Sequence, residues 1–357
     1  MRLAANGSNG LQSDFMDDPA NSRPDRPERG SFVSAGDVAE RAGVSRSAVS
    51  RTFSGAGSVS AATRRKVMKA AEELGYHANH LARGLTGEPS DIVCLIAADI
   101  GQPFQARMLE QVTRHLQLRG KVAMVINTAG DGDSVSHALR QSLHYRAEAS
   151  VVLTGTPSEK LVQTCLSNGQ RVVLVNRDDE APGVDRLRVD NDRACVEALA
   201  LLRRAGCERV ACVSSRARTT SLLSREAAFS RAAEAAGLTL DLTRAGPTSY
   251  ETGAESARLL LGRAAPPDGV FCVTDLLALG FMDAARHVFG RRIPEDLCVI
   301  GFDDVPQASW TSYELTTFRQ PIEEFAERIA AVLTSDEVGH SEVLEVLPVW
   351  RSSVRMA

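Results

Sequence analysis

Arg46, Ser47 and Ser50 face outward on one short segment, with Arg51 beside them, and together they could read a DNA duplex. Arginine presents a planar fork of donors that matches guanine O6 and N7 in the major groove, and each such pair discriminates by about 1–3 kcal/mol. Arg46, Ser47 and Arg51 are therefore the candidate base readers. Ser34, Ser45, Ser60 and Thr63 stand where helices begin, and with Ser50 they could donate to phosphates, which sets register without reading bases. Taken alone, the same serines fit plain helix caps and the same arginines a solvated face.

The elements that would position these groups are three short helices. Ser34 caps the first, Asp37 completes a capping box, and Val38, Ala39 and Ala42 share one face until Gly43 ends it. Only Gly43 and Val44 precede Ser45, the cap of a second helix over 46–53 whose Val49 and Phe53 face inward. A join this tight around glycine is the mark of a helix-turn-helix. The third helix starts after Ser60, carries Val67, Ala71 and Leu74, and stops at Gly75. Residues 1–31, with Pro19, Pro24 and Pro27 and little to bury, are expected to be a disordered extension, and either Met1 or Met16 could be the start.

From residue 91 the pattern changes to strand-length apolar runs at 91–98, 121–127, 150–154, 171–176, 208–213, 268–273 and 296–301. Helix-period segments lie between them, among them 103–118, 191–204, 221–236, 250–263 and 275–288. Such alternation predicts parallel sheets covered by helices, and the length suffices for two of them. Charge divides the same way: residues 32–90 sum to about +3 and 91–357 to about −6, so a mildly basic module precedes an acidic body. The seven cysteines sit mostly in apolar runs and read as reduced core thiols. No segment is apolar enough to span a bilayer and no signal peptide opens the chain, so a cytoplasmic location is expected.

The runs Asp37-Val38-Ala39-Glu40-Arg41-Ala42-Gly43-Val44-Ser45, Val49-Ser50-Arg51 and Glu72 to Leu85 closely resemble the LacI/GalR repressor family, and the resemblance extends from Val33 to Arg355. It implies an N-terminal all-α helix-turn-helix domain over 32–77, a hinge helix and linker over 78–90, and a two-lobed α/β effector domain of the type I periplasmic-binding-protein kind over 91–357. The lobes would comprise roughly 91–189 with 319–334, and 190–318 with 335–357, joined by three crossovers. The resemblance puts Arg46 and Ser47 at the family's base-specifying pair and Arg51 at its guanine reader. Asn79, His80, Arg83 and Leu85 fall in the hinge, with Leu85 at the minor-groove wedge, whose chemistry is to unstack a base step and bend the duplex. Ala78 replaces the usual proline, and Gly84 costs the hinge helix about 1 kcal/mol relative to alanine.

The same resemblance implies a ligand between the lobes, outside the carboxyl ends of the strands. Asp303 and Arg225 match its principal contacts, a carboxylate and a guanidinium suited to a polyol. Asn176, Arg177, Phe104 and Thr274 are further candidates, and Tyr250 matches an aromatic wall. Thr274 departs from the family's asparagine, and Arg177 adds positive charge, so a neutral sugar, a sugar acid and a sugar phosphate all remain open. No leucine heptad follows Arg355, so a homodimer on a palindromic operator, with no cofactor, metal or membrane, is the expected assembly. A dinucleotide-dependent enzyme would need a glycine fingerprint between strand and helix, whereas Gly55-Ala56-Gly57 lies in a loop and no phosphate-binding G-x-x-x-x-G-K-[ST] occurs. A stand-alone exported sugar binder would have no use for residues 33–85.

Overall fold

A computed structural model describes residues 33–54, 59–77, 90–177 and 182–355. The chain divides into two units at Asn79–His80.

The first unit holds α1 (Ala35–Ala42), α2 (Arg46–Ser54) and α3 (Ala61–Leu74). Ser34 Oγ accepts from the Gly36 and Asp37 amides, and Asp37 Oδ2 accepts from the Ser34 amide at 2.7 Å, which is the expected capping box. Gly43 takes φ 66°, a left-handed turn that a side chain would strain, and the Val44 amide reaches back to Ala39 O at 3.0 Å. That closure lets α2 start within two residues and fold across α1. Val38, Val49 and Val67 are fully buried with Ala39, Ala70 and Ala71, so each helix contributes to the small core. Phe53 meets Tyr76 edge to face at 5.3 Å.

The second unit contains two parallel sheets. The first has the order β11-β5-β4-β3-β1-β2, with β1 (Ile92–Ala98), β2 (Val122–Thr128), β3 (Ala149–Val152), β4 (Arg171–Val175), β5 (Asp185–Val189) and β11 (Ser341–Leu344). The second runs β7-β6-β8-β9, with β6 (Val210–Ser214), β7 (Leu240–Arg244), β8 (Gly269–Cys272) and β9 (Cys298–Ile300). Every residue of β1, β3, β6, β8 and β9 is buried, as expected for strands covered on both faces. The covering helices of the first lobe are α4 (Pro103–Gln117), α5 (Gly132–His144), α6 (Glu159–Ser167) and α11 (Ile322–Val332). Those of the second are α7 (Asn191–Arg204), α8 (Thr220–Ala235), α9 (Tyr250–Leu261) and α10 (Asp275–His287). A short antiparallel pair, β10 (Thr317–Arg319) with β12 (Leu347–Val349), lies where the chain passes between lobes.

Three crossovers join the lobes, after β5, after β10 and after β11. The assignment of 335–357 to the second lobe needs correction at residues 341–344, which add a parallel strand to the first sheet beside β5. Arg171 accounts for this: it pairs with Asp185 at 2.6 Å and donates to Ser335 O and Glu337 O, while the His340 amide donates to Asp185 Oδ1 at 2.9 Å. The turn after α11 is thereby held on the first lobe. Residues 341–344 and 347–349 are thus strands of two different sheets.

Candidate functional site

On the first unit, Arg46, Ser47, Ser50 and Arg51 are all exposed on α2, opposite the buried Val49 and Thr52. Among the described residues Arg46 has no intramolecular partner, whereas Arg51 Nε donates to Ser47 O at 3.2 Å. Ser45 Oγ accepts from the Ala48 amide and lies 2.9 Å from Ser47 Oγ; Ser60 Oγ accepts from the Thr63 amide and lies 2.9 Å from Thr63 Oγ1. The serines at helix starts are therefore true caps, and their neighbouring amides point out of helix N-termini, where the dipole favours anions. Arg41 is engaged with Glu73 at 2.6 Å, which ties α1 to α3 and removes it from the free cations. Asn79, His80, Arg83 and Leu85 lie outside the described residues.

In the second unit, residues at the carboxyl ends of the strands line a cleft between the lobes: Asp99 after β1, Thr154 and Gly155 after β3, Asn176 and Arg177 after β4, Thr274 after β8, Asp303 after β9. Phe104 on α4 and Arg225 on α8 complete it, so six of the seven residues expected there are brought together. Asn176 and Asp303 hold φ of 56° and 124°, conformations that cost non-glycine residues energy and that gather at functional sites.

Arg225 and Asp303 form the floor. The guanidinium is 3% exposed; Nη1 lies 3.2 Å from Asp303 Oδ1 and 2.8 Å from Val273 O, Nε lies 3.3 Å from Asn191 Oδ1, and the group stacks 3.7 Å above the Phe302 ring. Its partner comes from another element, not from its own helix, because the adjacent Glu226 is taken by Arg244. Burial pushes the Asp303 carboxyl up to about 6, against the pull of Arg225. Behind it, fully buried Asp275 is pushed up to about 7, first by burial and then by the charge of Asp303, although Thr317 Oγ1 and the Val305 amide donate to it.

Two polar side chains carry this floor across to the first lobe. Gln320 Nε2 donates to Asp303 Oδ1 at 2.6 Å, and Gln320 Oε1 accepts from Asn176 Nδ2 at 3.2 Å. Asn176 Oδ1 and Gln105 Oε1 are buried and have no hydrogen-bond partner among the described residues. Two acceptors left bare in a polar cleft are an energetic cost that a donating ligand would relieve. Gln102 Nε2 to Thr248 O at 3.0 Å and Arg107 Nη1 to Asp304 O at 2.9 Å bridge the lobes at the rim.

Sequence reasoning missed Gln320, Gln105 and Gln102. Gln320 carried one usable signal, its place at a lobe crossover ahead of Pro321; the glutamines of α4 carried none. Tyr250 is a correction, for it does not line the cleft. Its hydroxyl, with that of Tyr313, donates to Asp283 Oδ2 on α10. The cause is the near contact of α9 and α10: a Cβ at Gly280 would stand 1.9 Å from Tyr250 O, and one at Gly253 2.0 Å from Leu277 O. Backbones this close draw Tyr250 onto the neighbouring helix. Thr274 lines the cleft while its hydroxyl caps α10.

Among the described residues no group of three or more His, Cys, Asp or Glu could hold a metal ion, and no helix is long and apolar enough to cross a membrane. A helix-turn-helix and a two-lobed α/β body with a cleft stand on one chain, the build of a transcriptional regulator with an effector domain. Residues 36–79 match the bacterial regulatory proteins of the lacI family, and residues 199–354 match the periplasmic binding protein-like domain. The transcriptional regulator DegA of Bacillus subtilis is 31% identical over 298 residues, covering 82% of this chain and 88% of its own. CelR of Thermobifida fusca is 30% identical over 313 residues, covering 85% and 92%. The chain belongs to the lacI family of transcriptional regulators. Its fold matches that of the lac repressor dimer bound to operator and an anti-inducer, with a TM-score of 0.78 at 22% identity over 90% of this chain and 99% of that one. The CelR–cellobiose complex matches with a TM-score of 0.66 at 27% identity over 90% and 99%.

Proposed function

We propose that this regulator is a repressor that grips a palindromic operator as a homodimer and changes its grip when a small hydroxyl-bearing molecule, a sugar or a sugar derivative, enters the cleft. The observation that carries the ligand half is the pair of buried, unpartnered oxygens, Asn176 Oδ1 and Gln105 Oε1, facing a cleft floored by Arg225 and Asp303. Hydroxyls donate to the bare acceptors and to the carboxylate while accepting from the guanidinium, and they do so without introducing an unpaired charge. CelR, a relative, is known in complex with cellobiose. For the DNA half, Arg46, Ser47 and Arg51 read bases, the amides at the starts of α2 and α3 with Ser34, Ser45, Ser50, Ser60 and Thr63 hold phosphates, and Asn79, His80, Arg83 and Leu85 act in the minor groove.

Selection of bound duplexes from random DNA by the full chain, with and without added sugars, tests both halves. The expected result is a two-fold symmetric consensus whose occupancy a sugar changes. Calorimetry with neutral sugars, sugar acids and sugar phosphates then assigns the class. A salt-sensitive shift with no preferred sequence would overturn the operator reading; a defined operator with no heat from any of the three classes would overturn the ligand reading.

A further inference from the structure

Cys207, in the connection between α7 and β6, and Cys298, the first residue of β9, meet on one side of the second lobe's sheet. Gly269 makes the room. It pairs in parallel register with Cys298, so both residues project to the same side. A Cβ built at Gly269 would stand 2.8 Å from Cys207 Cβ and 2.9 Å from Cys207 Sγ. The absent side chain is thus replaced by the Cys207 thiol, which donates to Asp268 O at 3.4 Å, while the neighbouring Cys298 thiol meets Pro294 O at 3.8 Å.

Arg355 spans the pair, with Nη2 3.4 Å from Cys207 Sγ and its amide 3.5 Å from Cys298 Sγ. Its guanidinium is immobilised by Ala205 O at 2.9 Å and Pro294 O at 2.8 Å, so a fixed cation and a fixed amide face the two sulfurs. The neighbouring Cys207, with Arg355, draws the Cys298 thiol down to about 7, while Cys298 and burial push Cys207 up. Cys94, Cys165, Cys195, Cys212 and Cys272 are all pushed up by burial. Thiolate, not thiol, is the species that attacks oxidants.

We propose that Cys207 and Cys298 form a redox modification site, a dithiol that hydroperoxides convert to a disulfide. Cys298, the thiol drawn down, supplies the thiolate, and Cys207, at 6% exposure against 0%, is the thiol nearer solvent. The Cys298 sulfur attacks the terminal oxygen of the hydroperoxide: an S–O bond forms, the O–O bond breaks, and the leaving alkoxide takes a proton from water. Cys207 sulfur then attacks the sulfenic sulfur: the S–S bond forms, the S–O bond breaks, and hydroxide departs with the Cys207 proton as water. Two thiols lose two electrons, and the hydroperoxide becomes an alcohol and water.

The test uses the reduced full chain exposed to hydrogen peroxide, blocked with an alkylating agent and digested with trypsin. The expected product joins peptides 205–209 and 293–319, is two hydrogens lighter than their sum, and is released by dithiothreitol. It should form about ten-fold faster than any oxidation at the other five cysteines. Cys207→Ser and Cys298→Ser should each abolish it while circular dichroism shows the fold retained. Folded, peroxide-treated protein lacking this product, or cross-links spread among Cys195, Cys212 and Cys272, would overturn the proposal.

Discussion

Gln320 Nε2 donates to Asp303 Oδ1 at 2.6 Å, and this bond decides which way the Gln320 amide faces. Because a carboxylate only accepts, the nitrogen must point to Asp303, the oxygen must face Asn176, and Asn176 must offer its own oxygen to the cleft. One buried charge thereby sets the polarity of a group on the opposite lobe. Gln320→Met should weaken binding of a hydroxylated ligand by about 1–3 kcal/mol, since Asn176 loses its orientation and Asp303 a donor. Calorimetry reads the affinity, and operator binding without ligand should stay within two-fold of the parent at about the same salt.

Arg225 and Asp303 are 3% and 7% exposed at their side chains, so either alone is a poorly solvated charge. Arg225→Met should cost about 3–5 kcal/mol in urea unfolding, because it strands the buried Asp303 carboxylate. Adding Asp303→Asn should return much of that stability while ligand binding stays lost. If the double substitution is as unstable as the single, the guanidinium's bond to Val273 O and its stacking on Phe302 matter more than its charge.

The helix pair was legible because its rules are local: Ser34 with Asp37, Gly43 and Gly75 each act within one turn of their own position, and each does what its residue type requires. The strongest body strands were legible for a similar reason, since doubly covered strands are continuous apolar runs. β5 and β7 were not, nor was the placing of β11 in the first sheet. Their burial is partial or alternating, and β11 owes its place to Arg171, which lies more than a hundred residues earlier. Arg225 and Asp303 could be marked from motif likeness, but Gln320, Gln105 and the turning of Tyr250 toward Asp283 depend on how distant elements approach. Nothing in the order of residues announces that Gly253 and Gly280 let two helices touch backbone to backbone.

Acidity supplies a second handle on the cleft. Asp275 and Asp303 are raised to about 7 and about 6 by burial, so the folded body holds protons that the unfolded chain, with ordinary aspartates near 3.8, has released. The stability due to the neutral forms is complete below pH about 4 and is lost as pH rises through 6 to 7. Thermal unfolding of the body should therefore move to lower temperature between pH 5 and about 8, the opposite of a salt-bridged carboxylate. Asp275→Asn should flatten the upper part of that slope. A slope unchanged by the substitution would place the titration elsewhere.

The exposed arginines of α2 separate affinity from specificity. Among the described residues Arg46 has no partner and Arg51 bonds only to Ser47 O of its own helix, so truncating either leaves the small core of the first unit untouched. Arg46→Ala and Arg51→Ala should each cost about 1–3 kcal/mol on the selected operator, and far less on random DNA, because a lost base contact narrows the gap between right and wrong sequences. Lys69→Ala, an exposed cation of α3 loosely paired with Glu73 at 3.9 Å, offers the contrast. If it meets phosphate, its loss should weaken all duplexes alike and shrink the slope of log affinity against log salt by about 1. Equal losses on operator and random DNA for Arg46→Ala would make that arginine a phosphate contact instead.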